Sequence, residues 1–448
     1  MKRKITRVLS PLRVVVLGYF LIILTGALLL CLPISSRAGT WTPFHDTLFT
    51  ATSATCVTGL IVYDTYTHWT LFGQIVIISM IQVGGIGFMT LAISALSLTK
   101  RKIGLRGRFT MQEDVGASQI GGIVRITRFI LLGTALFEGV GALLLAFRFC
   151  PQFGFWKGIY FSIFHSISAF CNAGFDLMGG TAPFSSLTAY SGDPLVSLVI
   201  SSLIVIGGLG FFVWYDILKN KFRIRRYKLH TKVVLVTTFG LIAIPFLLMV
   251  FFERNSTELH ANGTGEYLLS MLFQTITPRT AGFNSVDYGL LSNATIVLSI
   301  FLMLVGGSPS STAGGMKTTT LAMWFAGMIS VLRRRKTVES FHRRMGEDAM
   351  LQIVSVSAMY MLLFFISGML ICAFDPVSIK ESFFEVASAL GTVGLTLGIT
   401  PSLSVPSLLV LIALMFFGRV GGITLLLAFH GQQGATPSKY PVEKINIG

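Results

Sequence analysis

Charge is what this chain has least of: 12% of its 448 residues are Asp, Glu, Lys or Arg, about half the share of an ordinary soluble domain. With 53% hydrophobic residues and a mean hydropathy of +0.74, it reads as a membrane protein. Long polar linkers and low-complexity tracts are missing as well, so the length points to a single intramembrane body and not to a string of soluble domains. Cysteine is sparse. Cys31, Cys56, Cys150, Cys171 and Cys372 are odd in number and lack CxxC spacing, which excludes a disulfide framework and a zinc site. Catalytic signatures are absent too: His45, His68 and His165 are isolated, and no HExxH, Ser/His/Asp pattern or P-loop occurs. The chain therefore reads as no enzyme, with no nucleotide bound by itself. Gly84-Gly85-Ile86-Gly87 and Gly207-Gly208-Leu209-Gly210 resemble pieces of a dinucleotide fingerprint, yet they lack its last glycine, preceding strand and following acid. Close helix packing or hinging is the better reading.

The 35 basic residues against 19 acidic ones, a balance of +16, form short clusters between apolar runs instead of one continuous face. That excludes nucleic-acid binding. Met1-Lys2-Arg3-Lys4 and the uncharged run Val14 to Leu32 imitate a signal peptide, but an h-region has about 7 to 15 residues. This segment is long enough to cross a bilayer, which takes about 20, and reads as a retained first helix.

Eight apolar runs follow one another: Val14 to Leu32, Leu71 to Leu98, Phe129 to Phe147, Leu195 to Tyr215, Val233 to Phe252, Leu291 to Val305, Met350 to Phe374 and Val405 to Phe429. Between the odd and even members lie shorter apolar segments, such as Trp41 to Ala54 and Ile159 to Ala169, read as re-entrant helices. Basic residues collect before the first run, at Lys100 to Arg128, Lys219 to Lys232 and Arg333 to Arg344, and in the tail, placing 27 of 35 on one side with only 7 of 19 acids. By the positive-inside rule both termini are cytoplasmic.

A repeat with a period near 110 residues organises the chain. FTATSATCVTGL (Phe49 to Leu60), FHSISAFCNAGF (Phe164 to Phe175), LFQTITPRTAGF (Leu272 to Phe283) and FEVASALGTVGL (Phe384 to Leu395) align without a gap on Gly59, Gly174, Gly282 and Gly394. The expected fold is an all-α integral membrane protein in which four helix, pore-helix, helix repeats surround a central cation pore with pseudo-fourfold symmetry. The repeats span 1–108, 109–222, 223–335 and 336–434, and a cytoplasmic tail covers 435–448. Glycine accepts positive φ, allowing an extended segment to turn its carbonyls to the axis. Helices entering from outside would aim their partly negative C-termini at the membrane centre. Both features favour a cation, and rings of carbonyls can replace the hydration shell of potassium.

The segments Thr55-Cys56-Val57-Thr58-Gly59, Cys171-Asn172-Ala173-Gly174-Phe175, Thr277-Pro278-Arg279-Thr280-Ala281-Gly282-Phe283-Asn284 and Gly391-Thr392-Val393-Gly394-Leu395 resemble the filters of the Trk/Ktr/HKT superfamily of potassium transporters. The resemblance covers essentially the whole chain and is greatest to the bacterial Ktr membrane subunit. It implies potassium uptake across the plasma membrane, homodimerisation and a cytoplasmic nucleotide-binding regulatory ring made by a separate polypeptide, with sodium coupling left open. It also implies K+ at the filter carbonyls of Thr55 to Gly59, Cys171 to Gly174, Thr280 to Gly282 and Thr392 to Gly394. Serine in place of the first filter glycine is associated there with sodium permeation; Gly59 favours potassium. Arg279, three residues before Gly282, is expected to turn away and pair behind the filter.

One inner helix breaks the pattern. Gly306-Gly307-Ser308-Pro309-Ser310-Ser311-Thr312-Ala313-Gly314-Gly315-Met316-Lys317 contains four glycines and a proline and cannot continue a helix. A kink between two shorter helices is one reading; an intramembrane gating loop below the filter, as the resemblance implies, is the other. Gly307 lies 25 residues after Gly282, and Arg419 lies 25 residues after Gly394 in an otherwise apolar run. A charge at that depth is a functional candidate, able to hold the loop with its five donors and to oppose cations. Glu138 and Asp216 are expected to pair with neighbours instead of relaying protons. The basic connectors suit either the regulatory ring or anionic membrane lipid. The alternative function is a small-solute carrier with alternating access, which commonly uses two inverted halves, whereas these repeats are four and parallel.

Overall fold

The computed structural model describes residues 11–87 and 123–422, apart from positions 222, 262, 336, 342 and 345. The expected basic cluster Lys100 to Arg108 and the tail 435–448 lie outside the described residues. One order recurs four times: a long outer helix, a short pore helix, an irregular segment and an inner helix. The outer helices are Pro11–Cys31, Ile123–Phe153, Leu229–Phe252 and Glu347–Phe374. Each is long and apolar enough to cross a membrane. They leave large apolar side chains exposed, among them Leu136, Phe147, Phe239, Leu247 and Leu362. Such a surface suits a hydrocarbon solvent, which wets leucine as readily as another helix does.

The pore helices are Phe44–Thr55, Phe155–Cys171, Thr264–Ile276 and Ile379–Gly391. The first has 12 residues, a length of ~18 Å against a hydrocarbon core of ~30 Å, so it enters without crossing. Ser378 and Glu381 form a capping box at the start of the fourth. Phe49, Phe164 and Phe384, the aromatic column of the repeat, are fully buried and seat three of the four helices in the core. Leu272, the fourth member, is only partly buried.

The inner helices are Leu71–Ile86, Pro194–Leu209, Asn293–Leu304 and Val405–Val420. Side chains of Thr70, Asp193 and Ser292 cap the first three by accepting backbone amides. Of the eight expected spans, the four outer helices are single helices of full length, and the later parts of the runs Leu71 to Leu98 and Val405 to Phe429 lie outside the described residues. Gly87, Gly210 and Gly421 have φ of +93°, +95° and +87°, and each stops its helix short. The run Leu195 to Tyr215 is not one straight helix: Pro194–Leu209 and Phe211–Asn220 meet at Gly210 with a bend of 92°. Leu71–Ile86, Asn293–Leu304 and Val405–Val420 are apolar but shorter than a full span. In the third repeat the break is a loop, after which the chain resumes as Thr318–Leu332.

Candidate functional site

Three of the pore helices end in the same way. Thr58, Ala173 and Val393 donate their amides to the carbonyls of Ser53, Ser168 and Ser388, five residues back, at 2.8 Å each. This bond belongs to the Schellman ending, which requires a left-handed residue just past the helix. That residue is Val57, Asn172 and Thr392, with φ of +58°, +61° and +53°. Thr280 of the third repeat has φ +68°, although there Ala281 donates four residues back, to Thr277, at 2.9 Å. Two residues later comes the glycine column, again with positive φ: +97° at Gly59, +69° at Gly174, +78° at Gly282 and +95° at Gly394. Each segment thus has positive φ at two positions separated by one residue. A β-branched residue such as Val57 rarely adopts this conformation, so a second fourfold column exists in the backbone that residue types hide.

The four segments close into a ring. A Cβ on Gly59 would meet the carbonyl oxygen of Ala173, one on Gly174 that of Ala281, one on Gly282 that of Val393, and one on Gly394 that of Thr58. All four approaches are closer than real Cβ atoms come. Each repeat therefore packs its glycine against the carbonyl preceding the next repeat's glycine, in the order one, two, three, four and back to one. The hydroxyls of Thr55, Thr58 and Thr392 are buried and have no hydrogen-bond partner. Buried polar atoms are normally paired, and these three lie on the ring segments of the first and fourth repeats.

Symmetry is incomplete behind the ring. Ser53 and Ser388 accept the amides of Gly59 and Gly394, both at 3.0 Å. In the second repeat Ser168 instead donates to the Phe175 carbonyl at 2.7 Å, and Thr277 donates to that of Phe283 in the third. Asn172 bonds Thr280 across the two segments at 3.2 Å. Buried polar residues on the pore helices tie down the chain beyond the ring: Asp46 accepts from the Tyr63 hydroxyl at 2.9 Å, His165 Nε2 from the Leu177 amide at 3.3 Å, and Glu385 from Thr396 at 2.8 Å and from Thr400. Sequence reasoning missed these ties because their residue types differ: His165 and Glu385 share one column, nine residues before Gly174 and Gly394, while Asp46 lies thirteen before Gly59. Their signal was a polar residue on an otherwise buried helix face. Arg279 is 5% exposed, but the expected pairing is not seen: its Nε has no hydrogen-bond partner, and it makes no ion pair among the described residues.

Beyond the ring lies a cavity of about 830 Å³, to which all four repeats contribute through Ile61, Phe184, Ser285 and Gly394. Glu258, Glu266 and Asp287 line it and give it a negative rim. On the other side sits the glycine-rich loop. Val305 bridges Met316, and the Gly306 amide donates to the Met316 carbonyl at 2.8 Å, closing the loop at its base. Ser308 and Thr312 donate amides to the carbonyls of Gly208 and Gly207 at 2.9 and 3.3 Å, and Gly315 donates to Gly418 at 3.2 Å. The Ser310 carbonyl accepts from the Phe211 amide at 2.7 Å. A Cβ on Gly314 would collide with the Thr392 hydroxyl, so the loop lies directly against the ring segment of the fourth repeat. Lys317 Nζ folds back on the Ala313 carbonyl at 2.8 Å.

Arg419 meets the loop. Nη1 donates to the Thr312 carbonyl, while Nη2 donates to the carbonyls of Gly84 and Gly85, the latter at 3.1 Å. Arg419 thus touches the loop at Thr312, five residues beyond Gly307. Glu138 accepts from Gln82 at 3.0 Å, and Asp216 accepts from the Lys228 amide at 2.9 Å and from Thr231 at 2.6 Å. Both acids have neighbours as expected.

Residues 14–436 match the TrkH family, described as cation transport protein. The chain is 40% identical to the potassium/sodium uptake protein NtpJ of Enterococcus hirae, covering 100% of this chain and 99% of that protein. It is also 40% identical to the Ktr system potassium uptake protein B of Bacillus subtilis, covering 98% and 97%. The crystal structure of the potassium transporter TrkH from Vibrio parahaemolyticus matches its fold with a TM-score of 0.73 at 19% identity, over 94% of this chain and 86% of that one. A multi-pass helical membrane protein with four glycine-centred segments closed into a ring, this chain belongs to the TrkH family of cation transport proteins.

Proposed function

We propose that the chain carries potassium into the cell across the plasma membrane, through the carbonyl ring at Gly59, Gly174, Gly282 and Gly394. The observation that carries this reading is the cyclic glycine-to-carbonyl packing of the four repeats. Carbonyls held in a ring by the backbone can take the place of potassium's water. The acidic cavity beyond the ring raises the local cation concentration at the entrance. Gly306 to Lys317 is the gate and Arg419 its latch, since the loop lies against Thr392 and is held by the carbonyls of the neighbouring repeats.

The protein works as a homodimer under a cytoplasmic nucleotide-binding ring made by another polypeptide, whose docking surface includes the basic connectors Lys219 to Lys232 and Arg333 to Arg344. Sodium is the second candidate ion, in keeping with the printed name of the Enterococcus hirae relative. The test is uptake of potassium and sodium by purified protein in vesicles, with and without the ring. Potassium accumulation that external sodium does not outcompete supports the reading. Equal uptake of both ions, or uptake of an organic solute instead, defeats it.

A further inference from the structure

Lipid tails wet an exposed leucine on any outer helix without preference, so a lipid site needs walls and a charge at one end. A groove of about 490 Å³ on the third repeat has walls. Val233, Gly240 and Leu248 of the outer helix Leu229–Phe252 form one, and Leu298 and Phe325 of the interrupted inner helix form the other. Val233 and Leu248 are 15 residues apart, which is ~22 Å along a helix against ~15 Å for half of a bilayer's hydrocarbon core. A lipid tail from one leaflet fits that length. Gly240 keeps the groove open, because a Cβ there would meet nothing within 4 Å.

Charge adjoins the groove from both walls. Val233 follows the basic residues Lys228 and Lys232. On the other wall Thr318–Leu332 leads through Arg333, Arg334 and Arg335 into a hairpin of Glu339–Ser340 and Arg343–Arg344, whose Ser340 and Phe341 line the groove. Ser340 pairs with Arg343 across the hairpin, and cross-strand partners share a face. Arg343 therefore stands on the face that meets the groove. Glu339 and Arg344 pair on the opposite face, where Glu339 also bonds Arg335 at 3.0 Å, and that face is left to the regulatory ring.

We propose that this groove binds one anionic phospholipid, with its tail between Leu229–Phe252 and the interrupted helix and its phosphate beside Arg343. Basic side chains at the membrane surface favour an anionic headgroup, and an arginine can lay its stem on apolar surface while its charge stays at the interface. A second copy of the chain suits the groove less well, since a two-fold contact about the membrane normal sets the same basic residues at one level. The tail touches both helices that the glycine-rich loop joins, so the lipid bears on the segment read as the gate; the site itself stands without that reading.

The experiment measures lipid retained by the full-length protein. It is placed in vesicles of phosphatidylcholine with a minor share of phosphatidylglycerol, re-extracted in mild detergent and weighed by native mass spectrometry. The expected result is a phosphatidylglycerol retained by the parent in preference to phosphatidylcholine. Gly240→Leu fills the groove and loses that lipid. Gly139→Leu keeps it, because a Cβ there also meets nothing within 4 Å but the residue lies on Ile123–Phe153, away from the groove. Arg343→Gln retains a lipid and loses the preference between headgroups. Should Gly240→Leu fail to stay monodisperse, Val236→Trp blocks the groove from a residue that is already 59% exposed. A parent with no preferential retention overturns the site, as does a blocked variant that keeps phosphatidylglycerol at the parental level or an unchanged preference in Arg343→Gln. A blocked variant that turns monomeric while keeping the lipid also overturns it, and makes the groove a contact between two copies of the chain.

Discussion

The carbonyl oxygen of Ala173 lies 2.5 Å from the point that a Cβ on Gly59 would occupy. Two repeats, 115 residues apart at their glycines, are thereby fitted to each other with no room for a methyl group. Gly59→Ser meets that carbonyl and must also adopt φ +97°, a conformation costing of order 1–3 kcal/mol for a residue with a side chain. The neighbouring carbonyl has to move, and the cage around the ion loses its fit. If about 1.4 kcal/mol of the preference for potassium depends on that fit, the ratio of potassium to sodium uptake falls about tenfold. Competition between the two ions in vesicles measures it. An unchanged ratio in a monodisperse variant would show that the ring does not select.

Ser53→Ala and Ser388→Ala remove the acceptors of the Gly59 and Gly394 amides without touching the ring itself. Each leaves a buried amide unsatisfied, at a cost of about 1–3 kcal/mol, and frees the peptide to rotate. A smaller loss of selectivity than at Gly59 is expected, with Thr at either position restoring it because the hydroxyl returns. Should Ala and Thr variants discriminate equally, the serine hydroxyls would matter to stability alone.

The glycine column was legible in the sequence because positive φ and a close carbonyl leave no other residue a place. The column two residues earlier was not. Val57, Asn172, Thr280 and Thr392 share a backbone conformation but no chemistry, since the helix ending imposes the angle and the surrounding packing holds it. Spans were legible as composition, and the bend inside one was not: the apolar pattern runs through Gly210 unbroken, and only the backbone turns there. Asp46, His165 and Glu385 were invisible as ties, because three repeats fasten their outer segments with three different side chains, two of them at one register and the third four residues earlier.

Asp216 fixes the end of the second repeat by accepting the Lys228 amide and the Thr231 hydroxyl. It thereby positions the connector that bears Lys219, Lys221, Arg223, Arg225 and Arg226. Converting those five residues to Gln is expected to reduce recovery of the nucleotide-binding ring in copurification while leaving ring-independent flux unchanged. A loss that added salt reproduces in the parent agrees with an electrostatic contact, screened at high ionic strength. Full retention of the ring would assign these charges to anionic lipid instead.

Deleting Ser308 to Ala313 tests the loop itself. The deletion removes the amides that supply Gly207 and Gly208, the Ser310 carbonyl that accepts from Phe211, and the Thr312 carbonyl held by Arg419. The loop now satisfies the carbonyl end of Pro194–Leu209 and the amide end of Phe211–Asn220 together, so it also fastens the bend at Gly210. Without it those groups turn to water, which is tolerable only where a water-filled path exists. Higher potassium flux is therefore expected, with little remaining dependence on the cytoplasmic ring. Folding must be checked by monodispersity first, because several buried bonds are lost at once. A well-folded deletion that transports at the parental rate and still needs the ring would make Gly306 to Lys317 a break between two helices and nothing more. The next place to seek the constriction is the glycine ring, where the carbonyls of Thr58, Ala173, Ala281 and Val393 pack against the glycines of neighbouring repeats.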